Sequence, residues 1–273
     1  MVVDLDAMRR FFNRPPEALA IDAEAPAMHQ MLLVALETGA VRAAERLEDG
    51  TWETHAWVKH AILCGFRRTS LVEMAGPGYP MFDKAAYPPR HFGLEDAVRL
   101  VPGGTAVRRG AHVARSVVLM PPAYVNVGAF VDEGTMVDSH ALVGSCAQIG
   151  RRVHLSAAAQ IGGVLEPAGA RPVIVEDDAF VGGLVGLFEG ILVRRRAVLA
   201  AGVVITGSTV IYDLVHGREL RSEVPEGAVV VPGSRPASGD YAKACGLQVS
   251  APCIVKYRDE KTDAATALEQ ALR

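Results

Sequence analysis

The side chains that could do chemistry in this sequence are a few carboxylates, histidines and cysteines, and a large set of arginines. Asp138 ends the run Gly134-Thr-Met-Val-Asp138, directly after an aliphatic residue. A carboxylate there can act as a general base toward a bound group, or simply close a turn by bonding nearby backbone. His140 and His154 are further candidate bases, for which a structural or lining role is the first expectation. Cys64, Cys146, Cys245 and Cys253 form no C-x-x-C pair, so neither a zinc knuckle nor a dithiol redox site is expected. Four unpaired thiols fit a reducing compartment. The chain has 23 Arg against 5 Lys. Guanidinium forks suit carboxylates and phosphates, although genomic base composition could give the same bias.

A repeat must position these residues. An aliphatic residue recurs every six positions at Val107, Val113, Leu119, Val125, Val131, Val137, Val143, Ile149, Leu155 and Ile161. After a break over 162–174 it resumes at Val175, Val181, Leu187, Val193, Leu199, Ile205 and Ile211. Four residues after each aliphatic the slot is small or β-branched, as at Ala111, Val117, Thr135, Ala159, Ala179 and Val203. A period of six fits neither an α-helix nor a lone hairpin. It fits a solenoid in which each hexapeptide is one short strand plus a corner. Three hexapeptides make a triangular coil, with the aliphatic slot filling the prism and the small slot pointing inward near a corner. Successive coils stack about 4.8 Å apart as parallel strands. On that reading His112, His140 and His154 stand 28 and 14 residues apart, not multiples of 18, so they do not stack into a metal site.

Composition agrees with a thin prism. The chain has 273 residues, half of them apolar but only 6% aromatic. A net charge of −3 gives no general attraction to nucleic acid. No run of 18 apolar residues suggests a membrane span, and the first residues lack a signal-peptide core, so a cytoplasmic protein is expected. The pattern divides into a mostly helical N-terminal domain over 1–100, the β-helix over 101–215 with a loop extruded over 162–174, and a C-terminal cap over 216–273. Within the first part a helix is expected over 27–38 with Gly39 at its end, a short helix or strand over 41–46, and helical spacing over 57–62. Asn13-Arg14-Pro15-Pro16 and Gly76-Pro77-Gly78 read as turns. In the cap, Val224-Pro-Glu-Gly-Ala-Val-Val-Val231 closes the prism, a strand falls within 250–258, and a helix covers 262–273.

The run Tyr124-Val-Asn-Val-Gly-Ala-Phe-Val-Asp-Glu-Gly-Thr-Met-Val-Asp138 resembles the tetrahydrodipicolinate N-succinyltransferase family, within the hexapeptide-repeat acyltransferases. So do Gly144-Ser-Cys-Ala-Gln-Ile-Gly150, Val153-His-Leu-Ser156 and Gly162-Gly-Val-Leu-Glu-Pro167. Outside the repeat, Leu36-Glu-Thr-Gly39, Gly50-Thr-Trp-Glu-Thr-His-Ala-Trp-Val-Lys59, Arg99-Leu-Val-Pro102 and Ile254-Val-Lys256 match too. The resemblance implies a left-handed parallel β-helix, a homotrimer with active sites between subunits, and succinyl-CoA as co-substrate. It implies transfer of succinyl to the amine of 2-amino-6-oxopimelate, the hydrated tetrahydrodipicolinate, in lysine and diaminopimelate biosynthesis. Partners are then small molecules rather than nucleic acid or membrane, and no metal is expected.

The same resemblance assigns Asp138 to holding and deprotonating the amine. Glu189, in Leu187-Phe-Glu-Gly190, matches a second family carboxylate. The chain departs from better-known members just upstream, where Gly183-Leu-Val-Gly186 replaces Ala-Arg-Ser-Glu. Either Glu189 serves, or Asp138 acts alone. Arg99 matches a substrate-binding arginine, and Arg171 is a further candidate for a carboxylate. Arg108, Arg109 and Arg194-Arg195-Arg196 are candidates for anions or else solvated corners. Gly182, Ala200, Ala201, Gly202 and Gly207 would let a pantetheine arm lie along the prism, or are simply tight corners; Lys256 completes the expected cofactor set. An N-acetyltransferase on the same or a related amine and a non-enzymatic hexapeptide scaffold remain alternatives at this stage.

Overall fold

A computed structural model describes residues 4–74 and 80–259. The expected helix over 262–273 and the turn Gly76-Pro77-Gly78 lie outside the described residues.

The hexapeptides coil into a three-sided parallel β-helix. The first face stacks Ala106–Val107, Tyr124–Val125, Leu142–Val143, Gln160–Ile161, Gly186–Leu187 and Val204–Ile205. The second stacks His112–Val113, Phe130–Val131, Gln148–Ile149, Ile174–Val175, Leu192–Val193 and Glu223–Val224. The third stacks Arg99–Leu100, Val118–Leu119, Met136–Val137, His154–Leu155, Phe180–Val181, Val198–Leu199 and Ala228–Val231. In each two-residue strand of the prism above Arg99–Leu100 the second residue points inward, because side chains alternate across a strand. These aliphatics and the small slots form one continuous buried cluster. Each such Val, Leu or Ile contributes about 1.5–3 kcal/mol of burial. Thr135 is the polar member of the small-slot series. It is fully buried, and its hydroxyl donates to the Gly150 carbonyl at 2.7 Å and accepts from the Val153 N–H at 3.0 Å.

A second regularity comes with the first. The third residue after the inward aliphatic takes a left-handed backbone at Ser116, Gly128, Gly134, His140, Cys146, Arg152, Ala158, Asp178, Leu184, Gly190, Arg196 and Gly202. This is the bend that turns one face into the next.

Two interruptions differ from the sequence expectation. Pairing runs eighteen residues up each face, as in Phe130↔Gln148, but Gln148 pairs with Ile174 across the first break. The insertion therefore adds eight residues to one corner, and Ile174, expected inside the break, is a strand residue. The second interruption was masked by chance periodicity. Ile211 sits in register, yet Val193 pairs with Val224 on the next coil. The Thr206 N–H donates to the Thr209 hydroxyl at 2.9 Å, a local turn that diverts the chain. Ile211–Asp213 then pairs with Arg218–Leu220 and with Cys253–Tyr257, while Ile211 still caps the core from above. Asp213 anchors this closure. Burial alone would raise its pKa, but bonds from the Tyr257 hydroxyl (2.7 Å), His216 Nδ1 (2.9 Å) and Arg218 Nε (2.9 Å) outweigh burial and hold it well below the carboxylate range. Between the strands Ser234–Pro236 and Gln248–Ser250 lies a short helix, Asp240–Ala244.

The N-terminal part packs helices α1 (Leu5–Phe12), α2 (Pro16–Ile21), α3 (Ala25–Glu37) and α4 (Ala56–Arg68) around Met8, Phe12, Leu32, Leu33, Val58 and Ile62. Gly39, with φ of +77°, ends the α3 run. Residues 41–46 resolve as a strand, Ala44–Arg46, paired antiparallel with Trp52–Thr54. This hairpin and α3 cover the second face. His112 stacks on Phe130 at 4.3 Å, the Arg42 guanidinium lies 3.7 Å from the Phe130 ring centre, and Arg42 Nε donates to Gln148 Oε1 at 2.9 Å. Trp52 Nε1 donates to Glu176 Oε1 at 2.9 Å. The first face and the lower part of the third keep half-buried outward side chains, including Tyr124, Leu142, Met136, His154 and Phe180.

Candidate active site

Stacking sorts the expected site residues onto corners. Where the third face turns into the first, Asp138, Ser156, Gly182 and Ala200 follow Val137, Leu155, Val181 and Leu199, four strand ends paired in succession. They form one vertical column. Ala201 and Gly202 continue the upper coil of the same corner. Asp138 is half-buried, and its Oδ1 accepts the Ser139 N–H at 2.7 Å, the short turn bond expected of a corner Asp. Above it the first corner position narrows from Ser156 to Gly182 and Ala200, while Leu184 stands exposed at the bend beside Gly182. A Cβ on Gly182 would lie 2.7 Å from the Ala201 nitrogen and 2.7 Å from the Leu199 oxygen, both backbone, so only glycine fits. Ala200 is buried, whereas Ala201 and Gly202 are exposed. Gly182, Ala200, Ala201 and Gly202 thus give a small-residue strip above a carboxylate.

Glu189 and Gly207 stand at a different corner, where the first face turns into the second. Glu189 Oε2 accepts the Gly207 N–H at 3.0 Å, one coil above. The turn itself departs from the other coil corners, because Glu189 (φ +54°) and Gly190 (φ +74°) are both left-handed. Non-glycine residues in that region carry strain. Arg171 clamps this turn from the inserted loop, with Nε donating to the Gly190 carbonyl and Nη2 to the Ser222 carbonyl, both at 2.8 Å. Burial lowers its pKa, and two of its donors are committed to backbone.

A cavity of about 490 Å³ opens in front of Glu189, between the inserted loop, Phe188 and Thr206. Phe188 explains the departure at Gly186. A Cβ there would lie 2.6 Å from the Phe188 ring, and one at Gly162 would lie 2.7 Å from it. Two glycines make a seat for the ring where the resemblance leads one to look for a carboxylate. Nothing in the sequence pattern marks Phe188 itself; the paired glycines one coil apart are the signal.

Arg99 is exposed and sits at the foot of the third face, paired with Val118, which pairs in turn with Met136. It lies two coils below Asp138's strand on the same face, about 10 Å at the usual strand spacing. Val118 and Met136 form the half-buried apolar strip between them. Lys256 lies opposite Val229 in the closing sheet, two strands above Val198 at the top of the third face. Arg108 meets Asp83 and Arg109 meets Glu37, the latter at 2.6 Å, so both tie the N-terminal part to the prism. Arg194 bonds Glu223 at 2.9 Å and Glu176 at 3.1 Å. Arg195 meets Glu226 at 3.3 Å. Among the described residues no cluster of His, Cys, Asp or Glu could hold a metal ion, and no helix is long and apolar enough to cross a membrane.

The coil and its corners define a hexapeptide-repeat β-helix protein. The family description "Tetrahydrodipicolinate N-succinyltransferase N-terminal" matches residues 15–67, and "Hexapeptide repeat of succinyl-transferase" matches residues 172–207. The chain is 49% identical over 248 residues to the 2,3,4,5-tetrahydropyridine-2,6-dicarboxylate N-succinyltransferase of Aromatoleum aromaticum, covering 89% of this chain and 87% of that one. It is 44% identical to the enzyme of the same name from Polynucleobacter asymbioticus, covering 96% and 94%. A solved Campylobacter jejuni structure, described as a 2,3,4,5-tetrahydropyridine-2-carboxylate N-succinyltransferase, superposes with a TM-score of 0.54 at 16% identity. It covers 90% of this chain and 63% of that one, and supports the fold alone. The chain belongs to the tetrahydrodipicolinate N-succinyltransferase family.

Proposed function

We propose that this protein transfers the succinyl group of succinyl-CoA to the amine of 2-amino-6-oxopimelate, the open hydrated form of tetrahydrodipicolinate. The observation that carries the reading is the 49% identity, over nearly the whole chain, to a relative of that activity. The corner column supports it in chemical terms. An extended pantetheine arm needs a strip of small residues with backbone groups in reach, as at Gly182, Ala201 and Gly202. The acceptor amine needs a proton acceptor at the end of that strip, as at Asp138.

The reaction asks for little else. Asp138 takes a proton from the amine, and the freed lone pair attacks the thioester carbon. The tetrahedral intermediate collapses by breaking the C–S bond, and the CoA sulfur leaves and is protonated. No acyl-enzyme forms. Arg99, at the far end of the Val118–Met136 strip, can receive a carboxylate of the acceptor bidentately. The acceptor carries its amine and a distal carboxylate several carbons apart, in keeping with that spacing.

Asp138 and Glu189 of one chain cannot reach one amine, so a site using both is shared between neighbouring subunits of a homotrimer. Glu189 and its cavity then form the second wall of a groove whose first wall is the Asp138 corner. Steady-state rates with succinyl-CoA and acetyl-CoA test the reading. We expect succinyl-CoA to be preferred; a strong acetyl preference would move the assignment to an N-acetyltransferase, and no turnover with either would leave a scaffold.

A further inference from the structure

The inserted loop has a second side. Glu166 and Pro167 line the cavity in front of Glu189, and they also line a separate cavity of about 480 Å³ against α2 and α4. Its floor is apolar, from Pro16, Leu19 and Leu63. Its rim carries the guanidiniums of Arg14, Arg67 and Arg68, against one carboxylate, Glu166, among the described lining residues. Two of these cations are engaged elsewhere. Arg14 pairs with Asp22 at 2.8 Å, and Arg68 donates to the Leu19 and Ala20 carbonyls. Arg67 is different. Its partner is Glu166 itself, at 3.5 Å, with side chains 59% and 68% exposed. So long and wet a pair contributes little and exchanges readily.

We propose that this cavity is a regulatory site for a small carboxylate with an apolar tail, whose carboxylate takes Glu166's place on Arg67. The volume suits a small molecule, and an apolar floor under a cationic rim suits that ligand class. Displacement frees the tip of the loop. Its far end stays tied, because Lys59 donates to the Ala170 carbonyl and Arg171 to those of Gly190 and Ser222. Movement is therefore confined to the stretch that also walls the Glu189 cavity. Occupation on one side changes shape and charge on the other. The effect on turnover rests on the acyl-transfer reading; the binding does not.

Calorimetry with hexanoate, and with hexanamide as its uncharged counterpart, tests the site. Hexanoate should bind one per chain and at least about tenfold more tightly than hexanamide, as expected of a charged hydrogen bond. Arg67→Gln should weaken it by about tenfold, Glu166→Gln should tighten it, and Arg99→Ala should leave it unchanged. Equal binding of the amide, binding that survives Arg67→Gln, or binding lost in Arg99→Ala overturns the site. Saturating hexanoate should also shift the KM for one substrate by more than about twofold, the least change that a coupling of a few tenths of a kcal/mol would give; unchanged kinetics with intact binding overturns the regulatory part. If the protein turns over no acyl-CoA, calorimetry still decides the site, and the proposed function fails separately.

Discussion

Asp138 and Glu189 stand at different corners of the prism, two coils and one face apart. The column above Asp138 passes through Ser156 and reaches Glu189's level only at Gly182. Two coils are about 10 Å along the axis, and the width of a face adds to that. The two carboxylates can meet one substrate only if they come from different chains. Mixing Asp138→Asn with Glu189→Gln subunits, each nearly inactive alone, should therefore restore activity. In the proposed trimer, random assembly leaves about one quarter of the sites with both native residues, as cyclic symmetry requires. Refolded one-to-one mixtures should recover about that fraction of wild-type turnover; recovery near zero would mean that the two residues serve one chain, and a Glu189→Gln protein that is active by itself would mean that Glu189 is not needed.

Asp138→Asn alone separates chemistry from structure. The amide oxygen can still accept the Ser139 N–H, which Asp138 Oδ1 accepts at 2.7 Å, so the corner keeps its turn bond. Turnover should fall by at least about 100-fold, the lower range for a lost general base. Light scattering should report the same assembly as the native chain. Near-normal turnover would remove Asp138 from the mechanism.

The small-residue strip makes a graded prediction. Gly182→Ala places a Cβ 2.7 Å from two backbone atoms, so the coil above must shift. The cost should be about 1–3 kcal/mol, as for other overpacked sites, with a raised KM for the acyl-CoA. Gly202→Ala meets nothing within 4 Å. Its φ of +77° lies in the left-handed region that Ala158 (+59°) and Leu184 (+60°) also occupy in the same column below it. Gly202→Ala should be much milder, and chemical denaturation of the two variants compares them directly. Equal destabilisation would show that the crowding at 182 is relieved at no greater cost than the left-handed strain of an alanine at 202.

The prism was legible because its geometry constrains side-chain type. Only an aliphatic fills the inward slot and only a small residue fits beside a corner, so composition repeats every six residues. The left-handed bend repeats just as strictly but leaves no such trace. Ser116, His140, Cys146, Arg152 and Leu184 all occupy it, since the bend constrains backbone and leaves the side chain in solvent or under the N-terminal part. The same applies to Glu189, whose unusual turn is fixed by Gly207 and Arg171 from outside its own hexapeptide. Ile211 misled because an aliphatic in register also caps the core when the chain has left the coil. The cover on the second face depends on Arg42 meeting Gln148 and Trp52 meeting Glu176, more than a hundred residues away, which no local pattern encodes. The Asp138 column becomes visible in the sequence only once the eight-residue insertion is subtracted, aligning 138, 156, 182 and 200.

The N-terminal core carries a pH dependence of its own. His29 is buried, and Gly65 leaves it room, since a Cβ there would lie 2.3 Å from its Nε2. The Tyr87 hydroxyl donates its proton to the Ile62 carbonyl at 2.5 Å, so His29 Nε2, 3.0 Å from that hydroxyl oxygen, must be the donor in their bond. Burial, helped by the charge of Arg109, pushes the His29 pKa down to about 4. The unfolded chain titrates near the ordinary value of 6.5. Between those values the unfolded state binds a proton that the native state refuses. Stability from neutral His29 is therefore fully present above pH 6.5 and is lost as pH falls toward 4, amounting to about 3 kcal/mol. His29→Gln keeps an N–H for Tyr87 and cannot titrate. Urea unfolding at pH 7 and at pH 4.5 should show the wild type losing about 2–3 kcal/mol more than His29→Gln across that interval. Parallel losses in the two proteins would mean that the folded state accommodates a protonated His29, charged at Nδ1 while Nε2 still donates to Tyr87.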